Sequence, residues 1–549
     1  MRFLFLLSQL HLILTHSSPS IQPLCHDDES SALLQFKDSF IIREQLFCQQ
    51  GFSCQNAVAS WTVEGGKSSD CCTWDGVECD EDTGHVIGLD LSFSCLYGSI
   101  NSNSSLFRLV YLQSLNLAYN HFNYSPIPPQ VGALSRLTHL NLSFSHFSGQ
   151  IPFEISQLSH LSSLKLSSPK LSSLDLSQVY PVLELKKPSL ESLVRNLSSL
   201  KELDLSWVDI SSNVPDILAN LSSLTFLSLE NCGLYGEFPI DIFKHSNLQY
   251  LKVGFNKGIT GYLPSFTWSS PLEILELSST SFSGEIPASI GSLGFLTELN
   301  LKICNFSGSI PSSLGNLSKL TSLDLSFNSL MGSIPSSLGN LSKLISLYLS
   351  SNSLVGNIPP SLGNLVQLSI LSVPFNRLTG PIPFRLANCP QLIVVDLSYN
   401  LLSGEMHFGL MNNTQLDSLH PSHNQLTGTL TSELMNLTQL VALNLGANKF
   451  YDQISNSLFN LKNLQFLVLS ENYLNDIVDF DKFVKLKELV TLDISGNQLL
   501  LFSTQETSPN ATLHKLQALG ISSCNLRAVA TSSLHVAPPL LAHANDLKT

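Results

Sequence analysis

Leu320 to Lys343 reads LTSLDLSFNSLMGSIPSSLGNLSK, and Leu344 to Gln367 reads LISLYLSSNSLVGNIPPSLGNLVQ, the same phrase 24 residues on. Leucines recur at positions 1, 4, 6 and 11, and an Asn stands at position 9. A fixed period of this length marks a chain of stacked coils, each a small supersecondary unit that cannot bury its apolar face alone. Coils start at Val86, Leu112, Leu137, Leu161 and Leu200, then every 24 residues to Leu464, and again at Leu489 and Leu516. That makes about seventeen complete coils and a stub. The coil from Leu161 to Ser199 is long and carries a second small phrase, LSSLDLS at Leu171 to Ser177, which predicts a loop or an extra turn.

Within one coil Leu320, Leu323, Leu325, Leu330, Ile334, Leu338 and Leu341 are expected to point inward. Each is worth about 1.5 to 3 kcal/mol when fully buried. Only stacking covers them, so stability should pass from neighbour to neighbour. Asn328, Asn352, Asn376, Asn400, Asn424, Asn448, Asn472 and Asn497 repeat at position 9, with Cys232, Cys304 and Cys524 standing in elsewhere. A buried amide offers two donors and an acceptor to backbone groups that a tight turn leaves unpaired. These are scaffold residues.

The second half of the phrase, LxGxIPxxLGNL, resembles the plant-type leucine-rich repeat, at Leu330 to Leu341 and again at Leu354 to Leu365. The resemblance covers roughly Cys25 to Arg527. It implies an α/β right-handed solenoid with a parallel concave sheet, a second strand on one flank and short convex helices. Pro335 and Pro359 suit the start of such helices.

Residues 1–18 look like a secretory signal peptide, with Arg2 before an apolar run from Phe3 to Leu14. Six cysteines follow before Gly84 (Cys25, Cys48, Cys54, Cys71, Cys72 and Cys79), and five more are scattered singly through the repeats. A dense, even-numbered cluster reads as a disulfide framework in an oxidising compartment, although six cysteines allow fifteen pairings. Metal binding is the competing reading, but no His is spaced to complete a site. Ser69 to Ser92, SDCCTWDGVECDEDTGHVIGLDLS, resembles the CCxWxGVxC amino-terminal cap of plant extracellular leucine-rich repeat proteins. That resemblance implies Cys25 with Cys71 and Cys72 with Cys79, leaving Cys48 with Cys54. Asp27 to Phe40 reads as an amphipathic helix with Leu33, Phe36 and Phe40 on one face and acidic residues in its first turn, placed to cover the first coil. Trp61 and Trp74 are expected beneath it. The domain expectation is therefore 1–18 signal peptide, 25–85 cap, 86–527 repeat array and 528–549 non-repeat tail.

Eleven sequons fall at Asn103, Asn123, Asn141, Asn196, Asn220, Asn305, Asn316, Asn340, Asn412, Asn436 and Asn510. Asn220, Asn316, Asn340, Asn412 and Asn436 share position 21, so their glycans would line the convex side and leave the strands open.

Ligand contacts belong where the repeat does not dictate residues, at positions 2, 3, 5, 7 and 8 of each strand. Lys201, Glu202, Trp207, Phe226, Tyr250, Lys252 and Phe255 form the candidate set, with aromatics on adjacent strands and charges at the rim. The alternative is that an aromatic at position 8 (Phe93, Tyr119, Phe144, Phe255, Phe327, Phe375, Tyr399) is repeat habit, packing along the strand edge. His420 and His423 occupy neighbouring concave positions and could charge in a mildly acidic wall, or be ordinary surface histidines.

A net charge of -14 argues against nucleic acid, whose binders need a basic stripe. No HExxH, P-loop, GxSxG or kinase signature occurs, so no enzyme, cofactor or metal is expected. As a whole the chain resembles the ectodomain of a plant receptor-like protein of the disease-resistance type. That family implies a cell-surface receptor without its own kinase, sensing a protein, peptide or glycan ligand and signalling through receptor-kinase partners. After Leu516 to Arg527 the text abandons the phrase, with no apolar run of about 20 residues to span a bilayer, which reads as a truncated form. The runner-up readings are a secreted inhibitor of a pathogen wall-degrading enzyme and a decoy for ligand or co-receptor.

Overall fold

The computed structural model describes residues 24–43, 53–64, 67–68, 70–168, 182–406, 413–502, 515–522 and 524–526. The expected signal peptide, Cys48, the phrase at 171–177, Asn412, Asn510 and the tail from 528 lie outside them. The chain divides into two units, Met1–Gly233 and Leu234–Thr549.

Both units are stacks of leucine-rich coils. In the first unit parallel strands at Val86–Asp90, Ser114–Asn116, His139–Asn141, Ser163–Lys165, Glu202–Asp204 and Phe226–Ser228 pair in register. Val77–Cys79 closes its first edge as an antiparallel strand. In the second unit the parallel ladder runs from Tyr250–Lys252 to Ala518–Gly520. A second parallel sheet of 11 strands accompanies it, from Tyr235–Glu237 to Tyr473–Leu474. Most of the described coils of this kind close with a turn of helix.

The leucine phrase builds the core. Leu320, Leu323, Leu325, Leu330, Leu338 and Leu341 are fully buried, and Ile334 nearly so. Asn328 shows how the amide ladder works. Its Nδ2 donates to Leu301, Leu325 and Ser326 carbonyls at 2.8, 3.1 and 3.1 Å, and its Oδ1 accepts the Phe306 N–H at 3.0 Å. One side chain thus satisfies two coils, and Asn352, Asn376 and Asn400 repeat the pattern. Cys304 substitutes by donating its Sγ–H to the Leu277 carbonyl at 3.2 Å. Burial pushes its thiol up, so it stays a protonated donor.

The convex helices are single 3-10 turns such as Ser312–Asn316, Ser336–Asn340 and Pro360–Asn364, capped by Pro311, Pro335 and Pro359. Five residues leave little room for an α-helical ladder. The glycine of LGNL is required by packing: a Cβ on Gly339 would sit 2.4 Å from the Ser361 carbonyl oxygen of the next coil.

In the cap, helix Asp27–Lys37 buries Ala32, Leu33 and Phe36, and Trp61 stacks on Trp74 at 5.5 Å. Cys25 bonds Cys71 and Cys72 bonds Cys79. The third bond corrects the expected Cys48–Cys54 loop: Cys54 bonds Cys95, one of the five single cysteines of the repeats. Chain around Cys54 lies along the first coil, where Gln55 N–H donates to the Phe93 carbonyl at 2.8 Å, and this brings Cys54 to Cys95 with a Cα separation of 5.7 Å. Cys25, Cys71 and Cys72 crowd within 4.8 Å, but all three sulfurs are consumed by disulfides and none is a thiolate ligand.

The long coil rejoins the stack through Leu183–Glu184, which pairs with Gly149–Gln150, and through the short helix Leu190–Val194.

Candidate ligand-recognition face

In the first unit Lys201 immediately precedes the strand that carries Glu202, Trp207 lies in the turn after that strand, and Phe226 stands on the adjacent one. Glu202 accepts from the Ser163 hydroxyl at 2.7 Å and sits 2.9 Å from the Lys165 ammonium, whose Nζ lies 5.8 Å from the Phe226 ring centre. Burial opposes ionisation of Glu202, but Ser163 and Lys165 outweigh it and hold the carboxyl below its ordinary value. Ser163 and Lys165 were not in the expected set. Their signal is visible in retrospect: they stand at positions 3 and 5 of the neighbouring strand, in register with Glu202 and Asp204.

In the second unit Tyr250, Lys252 and Phe255 belong to one strand and its following turn. The Tyr250 hydroxyl donates to Glu273 at 3.0 Å, which raises its pKa. Phe255 is 44% exposed. Glu276 on the next strand is nearly buried, accepting from the Ser278 N–H at 2.7 Å and the Asn300 amide at 2.6 Å.

Position 8 has a feature that leucine patterning does not announce. Phe93, Tyr119, Phe144, Trp207, Phe255, Phe327, Phe375, Tyr399 and His423 all adopt positive φ between 52° and 67°. This backbone turns successive rings onto one line. Phe93, Tyr119 and Phe144 stack at 4.1 and 4.8 Å in the first unit, and Phe375, Tyr399 and His423 at 4.3 and 4.0 Å in the second. Packing along the strand edge is thus what these rings do, while Phe327 and Phe375 keep about half their surface open, at 51% and 53%. His420 differs from the acid-charging expectation. Burial pushes its pKa down despite Asp396 and Asp417, which opposes charging.

The sequons sort by face. Asn220, Asn316, Asn340 and Asn436 each end a 3-10 turn and are exposed, whereas Asn141 ends a strand and is half-buried.

The leucine rich repeat N-terminal domain family matches residues 26–80, and leucine rich repeat families match 136–158, 271–293, 295–317, 319–341, 343–365 and 438–499. Receptor-like protein 6 of Arabidopsis thaliana is 43% identical over 296 residues, 51% of this chain and 28% of that relative. Receptor-like protein Cf-9 of Solanum pimpinellifolium is 38% identical over 299 residues, 53% of this chain and 33% of that relative. The chain thus spans about a third or less of the curated relatives it matches. Among solved structures, the ectodomain of the Arabidopsis receptor kinase HAESA with an IDA peptide hormone superposes with a TM-score of 0.72 at 27% identity, over 91% of this chain and 86% of that one. The ectodomain of the Arabidopsis thaliana receptor kinase GASSHO1/SCHENGEN3 in complex with CASPARIAN STRIP INTEGRITY FACTOR 2 gives 0.65 at 30%, over 82% and 54%. The cap, the amide ladder and these likenesses agree: the chain is a stack of leucine-rich repeats behind a leucine rich repeat N-terminal domain, and it is similar to plant receptor-like proteins such as Receptor-like protein 6 and Cf-9.

Proposed function

We propose that this chain is an extracellular recognition module of a receptor-like protein, binding a protein or peptide ligand in plant defence or peptide signalling, without catalysis of its own. The observation that carries the reading is the division of labour within each coil. Leucines and asparagines are consumed by the scaffold, four sequons sit on the turn face, and the strand face varies from coil to coil with half-open aromatics beside charges. HAESA, a structural neighbour, has been solved with the peptide hormone IDA and the co-receptor SERK1. By extension, a receptor kinase is the proposed partner here, and residues 1–18 the proposed leader to the cell surface or apoplast.

The test is capture from apoplastic fluid of infected leaves on the immobilised chain. A bound peptide or protein that is lost with Trp207→Ala and kept with the turn-face change Ser313→Ala supports the proposal. Equal capture by all three forms, or none by any, overturns it.

A further inference from the structure

At the start of the strands in the second unit a shallow groove of about 490 Å³ runs across successive coils. Gln415, Gln439 and Asn463 line it from the position just before each strand leucine, and they continue a series of amides at 24-residue spacing that begins at Gln367 and Gln391. Among the described residues the side-chain amides of Gln415 and Gln439 have no hydrogen-bond partner within the protein, and both residues are exposed. The rest of the lining at position 2 alternates: Ile393, Asp417, Val441, Gln465.

These side chains are evenly spaced because the coils are. The Asp417 N–H donates to the Ile393 carbonyl at 2.9 Å, Val441 to Asp417 at 2.8 Å, and Gln465 to Val441 at 2.8 Å, so one coil advances by one β-ladder step. That step is about 4.8 Å, and the apolar–polar alternation repeats every two steps, roughly 9.6 Å. An extended peptide laid along the groove advances about 3.3 Å per residue and about 6.6 Å per side-chain repeat, which drifts out of phase with both. An extended β-1,4-linked hexopyranose chain has a ring-to-ring advance close to one coil step. Its successive rings are turned over, so the same edge returns every second residue. A planar amide offers two donors and an acceptor, which matches a pair of adjacent hydroxyls. Ile393 and Val441 supply apolar ground for the C–H face of alternate rings. The lining includes the carboxylates Asp417 and Glu488 and no cation, with Glu488 held by Lys515 outside it, which disfavours a polyuronate.

We propose that this groove binds a neutral, extended β-1,4-linked oligosaccharide, in register at one sugar per coil. The site adds to the recognition role above and does not rest on it.

Titration calorimetry of the full secreted chain with cellohexaose tests the idea, with maltohexaose and a Gly-Ser hexapeptide as comparisons. The expected result is saturable binding of cellohexaose alone. The double change Gln415→Ala with Gln439→Ala should weaken it on the order of twentyfold, as expected for two lost neutral hydrogen bonds. Val441→Lys, which obstructs the groove without touching the amides, should abolish it, and both variants should keep the parental melting temperature. No binding of cellohexaose at millimolar concentration overturns the proposal, as does affinity unchanged in both variants. Equal binding of maltohexaose refutes the match of period, and binding of the hexapeptide instead assigns the groove to peptide. Capture at the Trp207 face is read separately, so either idea can fail alone.

Discussion

At the scale of single residues, the amide at position 9 shows what one side chain can hold. Asn376 donates to the Leu349, Val373 and Pro374 carbonyls at 2.9, 3.2 and 3.2 Å and accepts the Leu354 N–H at 3.0 Å, while only 9% exposed. Removing it strands several buried backbone groups, each costing about 1 to 3 kcal/mol, although water entering the space offsets part of this. Asn376→Ala should therefore lower the opening free energy of the Leu354 amide by about 2 to 3 kcal/mol in hydrogen exchange. Asn376→Cys should cost about half as much, because Sγ can still donate as Cys232 and Cys304 do. Equal losses for Ala and Cys would show that the donor does not matter. His121 carries a second residue-scale consequence. Burial first, and then the nearby His146, push its pKa down from 6.5 to about 4. The folded chain stays unprotonated where the unfolded chain takes up a proton. Stability contributed by neutral His121 is full above pH 6.5 and is lost as pH falls from 6.5 to about 4. With the ring half-exposed, the loss is on the order of 1 to 2 kcal/mol after solvent screening. His121→Phe can retain the stack on His146, which is 4.2 Å away, and should flatten the acid loss of protection at Ser114–Asn116. An unchanged pH slope would place the titration elsewhere.

At the scale of the element, the turn after each strand decides how side chains face the ligand side. Position 8 takes positive φ whether it carries Ser351 (52°), Phe375 (54°) or Tyr399 (52°). A side chain in that region costs about 1 kcal/mol relative to glycine. Where the residue contributes no ring, the cost should be recoverable: Ser351→Gly should be neutral or stabilising by up to about 1 kcal/mol. Tyr399→Gly relieves the same strain but removes a ring stacked on both Phe375 and His423, and should destabilise by about 1 to 2 kcal/mol net. Denaturant unfolding of the two variants checks this, and a stabilising Tyr399→Gly would show the stack to be worth less than the backbone strain. This element also shows where the sequence stopped being legible. The aromatic recurrence at position 8 could be read from spacing, and packing along the edge was one of the two readings it allowed. The left-handed backbone that lines the rings up could not, since Ser, Ile, Ala and Glu occupy it as well as aromatics. The Cys54–Cys95 bond was hidden for a related reason: periodicity assigned Cys95 to the repeat, whereas the cap chain that meets it has no period to follow.

At the scale of the whole molecule, legibility follows regularity. Leu320 to Gln367 announced the coil, the inward leucines and the amide ladder because each is dictated by contact with an identical neighbour. The ligand face is legible only as a set of positions, since Lys165 meets Glu202 through strand register and no motif demands either residue. The same regularity governs how the molecule comes apart. In a stack, each coil rests on its two neighbours, so damage should spread by adjacency and fade with distance. Leu323, fully buried on the Ser322–Asp324 strand, tests this inside the second unit. Leu323→Ala removes a core side chain whose replacement costs about 2 to 5 kcal/mol, depending on how far the cavity collapses. Hydrogen exchange should show most of that loss at Glu298–Asn300, Ser322–Asp324 and Ser346–Tyr348, the strand and its two in-register partners. Tyr250–Lys252 and Thr491–Asp493, at least three coils away, should exchange at their parental rates. A loss distributed evenly over all five strands would mean that the second unit opens as one cooperative body, and the nearest-neighbour account of its stability would have to be abandoned.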